Sequence, residues 1–155
     1  LAAKMVAEIV AIAHVKAVQI DFDAPQSAWR FYRQLLLDVR ARLQPDVFLS
    51  MTALVSWCDN PESWLAGLPV DEIVPMAFYM GQSTPAILTM LSHGGQFQFP
   101  GCRGSVGIQL PVGFGAPTVI DEPEVKPRKA QRAYFFMQAQ WSPEALEKAE
   151  KAFLP

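Results

Sequence analysis

The feature that most restricts the fold of this chain is a regular alternation of helical and strand patterns along its length, punctuated by Gly, Pro and Asn. Each parallel strand needs a crossover before the next can form, so such alternation marks an α/β domain with a parallel sheet. Strands are expected at residues 15–23, 47–57, 72–80, 105–110 and 133–140. The third is nearly all apolar, as a strand covered on both faces requires. Between them, residues 1–13 read as a helix with Met5, Ile9 and Ile12 along one side. Residues 26–43 place Trp29, Tyr32, Leu35, Leu36, Val39 and Leu43 at helical spacing. Shorter helices are signalled by Asn60-Pro61 for residues 60–65, by Ser83-Thr84-Pro85 for 83–91, and by Ser142-Pro143-Glu144 for 142–152.

This pattern fits either an open doubly wound sheet or a length of a (β/α) barrel. The barrel is favoured because no Gly-rich phosphate loop follows any strand. Polar and aromatic residues also recur at strand ends, at Asp21/Asp23, Ser56/Trp57, Tyr79 and Gln140/Trp141. A whole barrel takes roughly 200 residues or more. The 155 residues therefore read as one domain, 1–155, holding the C-terminal five β/α units of a TIM barrel without its first three strands. The unpaired sheet edges of such a portion favour self-association. Residues 111–129, with Pro111, Pro117, Pro123 and Pro127 among acidic residues, read as a long irregular loop.

Composition narrows the partners. With 51% hydrophobic and 18% charged residues the chain can bury a sizeable core, and a formal net charge of -2 gives no basic footprint for nucleic acid. No apolar run approaches the roughly 20 residues of a membrane span, and Lys4, Glu8 and His14 interrupt the first helix. Cys58 and Cys102 lack metal-ligand spacing and cannot make a disulfide framework, so two small, partly buried thiols are the default, with a mutual disulfide the lesser alternative. Neither a cofactor nor a metal is expected, His14 and His93 both falling at helix ends away from the acidic strand end.

The chemistry concentrates on the first strand. Residues two apart share a face, so Gln19, Asp21 and Asp23 project together while Val18, Ile20 and Phe22 turn to the helices. The two carboxylates are attached about 6–7 Å apart, close enough for their charges to couple as an acid and its modulator. Facing a bond from one side, they suit a substrate-assisted glycosidase better than an acid and nucleophile on opposite walls. Asp23 is the expected proton donor and Asp21 its modulator; in a purely structural role Asp23 would cap a helix and Asp21 would be a hydrogen-bonded strand end. Trp57, Tyr79 and Trp141, with Trp64 and Phe78 behind them, are aromatic faces that could stack on sugars. Gln19, Gln138 and Gln140 would hydrogen-bond a carbohydrate ligand.

The strings Val18-Gln19-Ile20-Asp21-Phe22-Asp23, Leu49-Ser50-Met51-Thr52-Ala53-Leu54-Val55-Ser56-Trp57-Cys58 and Val74-Pro75-Met76-Ala77-Phe78-Tyr79-Met80-Gly81 together resemble an uncharacterised bacterial family, a domain of unknown function. The resemblance runs from Ala17 to Trp141. It implies a periplasmic or lipid-anchored barrel distantly similar to glycoside hydrolases, and a periplasmic or extracellular location is expected. A looser similarity links the acidic row and Met76-Ala77-Phe78-Tyr79 to chitinase-like glycosidases. No glutamate follows the row here, and the second motif lacks its final Asp. The alternative expectation is therefore a non-catalytic carbohydrate-binding or scaffolding barrel.

Overall fold

A computed structural model describes residues 1–78, 81–109, 130–136, 142–144, 146, 147 and 150. Helix α1 (Ala2–Ala13) leads into strand β1 (Ala17–Ile20), and a 3-10 turn at Gln26–Ala28 opens α2 (Trp29–Arg40). Strand β2 (Phe48–Leu54) runs directly into a single helical turn, α3 (Val55–Cys58), and β3 (Glu72–Met76) follows. Then come α4 (Thr84–Ser92), β4 (Ser105–Gln109) and β5 (Arg132–Phe136). The strands form one sheet of five in the order β1-β2-β3-β4-β5, with every neighbouring pair parallel. Strand order equals chain order, so the sheet has no topological switch point of the kind an open doubly wound sheet uses.

Alternation sets the two faces. Val18 and Ile20, with Leu49, Met51 and Ala53, point to the helices. There they meet Ala3 and Val10 of α1, Tyr32, Leu36 and Val39 of α2, and Leu88 and Leu91 of α4. The opposite face is buried as well: Ser50, Thr52, Val74 and Ser105 are 3%, 1%, 0% and 3% exposed. Gly107, paired with Met76, lies on that face, where a Cβ would stand 3.0 Å from the Phe136 ring and 3.5 Å from Phe78. Its bareness lets those two rings meet over β4 at 5.1 Å.

Several expectations are corrected. The stripe Met5, Ile9 and Ile12 is the exposed side of α1, at 52%, 61% and 80% exposure, while Ala3, Val6 and Val10 face the sheet. Both stripes are apolar, so periodicity alone does not rank them. His14 ends that helix in the left-handed conformation at φ 51°. The second strand stops at Leu54 instead of residue 57. The α3 turn then carries Val55, Trp57 and Cys58 into the core and leaves Ser56 outside. Residues 60–65 form turns instead of a helix, with the Asn60 side chain accepting the Glu62 amide at 2.9 Å.

The default of two thiols is also overturned, because Cys58 and Cys102 form a disulfide with their Cα atoms 5.9 Å apart. The topology makes the pair: the segment entering β4 crosses the end of α3, where the Phe99 amide donates to the Cys58 carbonyl at 2.9 Å. A separation of 44 residues carries no trace of that crossing in the sequence. The irregular loop expected at 111–129 lies outside the described residues. Of the closing helix expected at 142–152, the described part includes the Leu146 amide donating to the Ser142 carbonyl at 3.0 Å. No described helix is long and apolar enough to cross a membrane.

Candidate functional site

The C-terminal ends of β1, β2 and β3 open into a cleft of about 760 Å³. Its polar lining is Asp23, Ser56, Asp59, Gln82 and Ser83, and its apolar lining includes Leu54, Met76, Phe78 and Ile87. Each element contributes for a local reason. Beyond Ile20 the chain leaves the sheet, and the Ala24 amide folds back to the Phe22 carbonyl at 2.8 Å. Alternation survives that turn, since the Phe22 ring packs edge-on against Phe31 and Tyr32 of α2. Asp23 is thereby left on the cleft side. Ser56 and Asp59 arrive through α3, and Ser83 stands at the N-cap of α4 without using its side chain as a cap.

Asp21 sits one residue pair below Asp23 and accepts a hydrogen bond from the Thr52 hydroxyl at 2.7 Å. Thr52 is fully buried, so this bond orients the carboxylate from β2. Both acids are felt behind the sheet: burial first, then the negative charges of Asp21 and Asp23, push the Tyr32 phenol well above its ordinary range. That phenol donates to the Ile20 carbonyl at 3.2 Å and helps hold the strand end from which both acids spring.

A second polar assembly lies on the same sheet face, toward the N-terminal strand ends, and sequence reading missed its centre. The Glu72 carboxylate accepts the hydroxyls of Ser50 at 2.9 Å, Ser105 at 2.5 Å and Tyr134 at 2.6 Å, and the Arg132 guanidinium at 3.2 Å. Gln19 extends the chain by donating to Ser50 at 3.0 Å. One carboxylate therefore links all five strands, β1 through Ser50 and the rest directly. Burial by itself would push Glu72 up, but the bonds from Ser105, Tyr134, Ser50 and Arg132 outweigh it and hold the carboxyl below its usual range. Arg132 also lies over the Phe48 ring at 5.0 Å. The legible signal was an acidic residue opening an otherwise apolar strand, two-residue parity placing it on the Ser50 side.

The expected site residues therefore divide. Asp23 lines the cleft, Asp21 does not and is held by Thr52, and Gln19 belongs to the Glu72 assembly. Trp57 does not line the cleft: it is 6% exposed and packs edge-on to Trp29 and Trp64 at 6.4 and 5.1 Å. Trp64 stacks on Trp29 in the same cluster at 5.2 Å, and Arg33 donates to its carbonyl. Phe78 does line the cleft. Tyr79, Gln138, Gln140 and Trp141 lie outside the described residues. Asp59, Gln82 and Ser83 were missed, because a loop acid and two cap-like polar residues look the same in sequence whether they cap or bind. Among the described residues no group of three or more His, Cys, Asp or Glu side chains is placed to hold a metal ion. Comparison with protein-family models, with curated proteins and with solved structures returned no match.

Proposed function

We propose that the sheet is a length of a (β/α)₈ barrel and that its strand-end cleft binds and hydrolyses a carbohydrate, with Asp23 as proton donor and Asp21 as its modulator. The observation that carries this reading is the place of Asp23, in a cleft of about 760 Å³ at the C-terminal ends of parallel strands. Barrels put their chemistry at that end. Sequential parallel order and burial of the face away from the helices support the barrel, since a sheet that curls on itself buries its concave side with its own residues. The volume suits a small ligand, and the mix of hydroxyl, amide, carboxylate and one aromatic wall suits a sugar ring.

Two carboxylates that follow one strand approach the scissile bond from one side. Asp23 would protonate the leaving oxygen and recover its proton from the water that adds to the anomeric carbon, with Asp21, held by Thr52, as its modulator. A buried disulfide supports a periplasmic or extracellular setting, where such bonds persist. The test is product release from a glycan panel, compared between the protein and its Asp23→Asn variant. Hydrolysis that survives the substitution unchanged would refute Asp23 as the donor. A second reading, binding without turnover, is favoured by the exposure of both carboxylates, since proton donors of this kind are usually shielded from water. It expects glycan affinity with no released product.

A further inference from the structure

We propose that the cleft selects amine-bearing, cationic sugars over acidic ones, and that Asp59 supplies that selectivity together with Asp23; the inference rests on the carbohydrate reading above. Its basis is the charge of the cleft wall. Asp23 follows β1 and Asp59 follows α3, so two carboxylates reach one cavity from separate elements, and no described lining residue is Lys, Arg or His. The rest of the polar lining, Ser56, Gln82 and Ser83, is uncharged. Several cations of the surrounding elements are committed elsewhere. Arg33 serves the Trp64 and Ala66 carbonyls, Arg103 the carbonyls of Phe97 and Gln98, and Arg132 the Glu72 carboxylate.

An acidic sugar entering this cleft would bring its carboxylate to the wall formed by Asp23 and Asp59, where like charges repel. An ammonium meets the opposite field. Each exposed ion pair of this kind is worth up to roughly a fivefold gain in affinity. Two such acids give an expected preference of about tenfold, smaller than the full product because one ammonium cannot sit ideally on both. Uncharged hydroxyl and amide groups would bind neutral and charged sugars alike, so the preference falls on the two acids.

The experiment is calorimetric titration, at pH 6 and low salt, with three probes: a glucosamine tetrasaccharide, an N-acetylglucosamine tetrasaccharide and a galacturonate tetrasaccharide. The amine-bearing probe is expected to bind about tenfold tighter than the acetylated one, and the acidic probe not measurably. Raising salt to about 1 M, where the Debye length falls to about 3 Å, should erase most of the difference. Asp59→Asn should cut the preference about fivefold, while Glu62→Gln, an exposed acid of the same loop that does not line the cleft, should leave it intact. Circular-dichroism melts of both variants check that each is folded. Equal affinity for the amine-bearing and acetylated probes, or a preference that survives Asp59→Asn, overturns the inference while leaving the carbohydrate reading in place. Binding of none of the three overturns both.

Discussion

Replacement of Glu72 by Gln keeps the shape of the side chain and removes only its charge, which isolates what the carboxylate does for the sheet. In the native protein it is 8% exposed and receives three hydroxyls, from Ser50, Ser105 and Tyr134, besides the guanidinium of Arg132. Hydrogen bonds to a charged acceptor are worth about 1.5–3 kcal/mol, and neutral ones about 0.5–1.5 kcal/mol. Each hydroxyl bond therefore loses about 1 kcal/mol on substitution, and the three together about 3 kcal/mol. The Gln amide must also donate where two hydroxyls donated, and Ser50 already accepts from Gln19, so rearrangement recovers little. With a urea slope of about 2 kcal/mol per M, the unfolding midpoint should fall by about 1.5 M. The melting temperature should fall by about 6–12 °C.

The pH dependence carries a definite sign. Glu72 is held below its usual range when folded, so its contribution is fully present above the unfolded value of about 4.3 and is lost as pH falls through the depressed folded value. Urea titrations of both proteins at a series of pH values should therefore show a gap that is constant at neutral pH and closes on acidification. A midpoint shift under about 0.5 M at pH 7, equal to about 1 kcal/mol, would refute the account of Glu72 as the tie across five strands. So would a gap that does not narrow in acid.

Other expectations follow from the core. Removing the disulfide by the double substitution Cys58→Ala and Cys102→Ala opens a loop of 44 residues and should cost about 2–4 kcal/mol, read as a lowered melting temperature that a reducing agent no longer affects. A double variant as stable as the parent would contradict a structural role for the bond. Trp57→Phe should lower stability by about 1–3 kcal/mol by loosening the Trp29–Trp64 cluster, yet leave glycan affinity within about twofold, because the indole faces the core. A large loss of affinity in a variant that melts normally would place Trp57 in the site after all.

Much of the architecture was legible beforehand, for identifiable reasons. Alternating helix and strand patterns name parallel α/β structure because periods of 3.6 and 2 are local properties, written in any stretch of ten residues. All five strands and the amphipathic helix α2 were placed this way, and Tyr32, Leu36 and Val39 are buried on the expected side. Two-residue parity correctly set Asp21 and Asp23 apart from Phe22, which packs onto α2. Legibility failed where a choice depends on what lies across the fold. Two apolar stripes on α1 were indistinguishable without knowing where the sheet stands. The α3 turn begins inside an apolar run that reads as strand throughout, so Trp57 was assigned to the wrong environment.

What the sequence by itself determined is the succession of elements and the face to which each strand residue belongs, because hydrophobic period and turn chemistry act within a few residues. That was enough to bring Asp21 and Asp23 to one strand end. Only the tertiary structure decided which distant residues meet: Asp59 in one cleft with Asp23, Thr52 on Asp21, Cys58 on Cys102, and Glu72 at the centre of residues up to 62 positions away. Such meetings follow from strand order, register and the path of crossovers. Those are settled by the burial of the whole core, a quantity to which no single segment holds the answer.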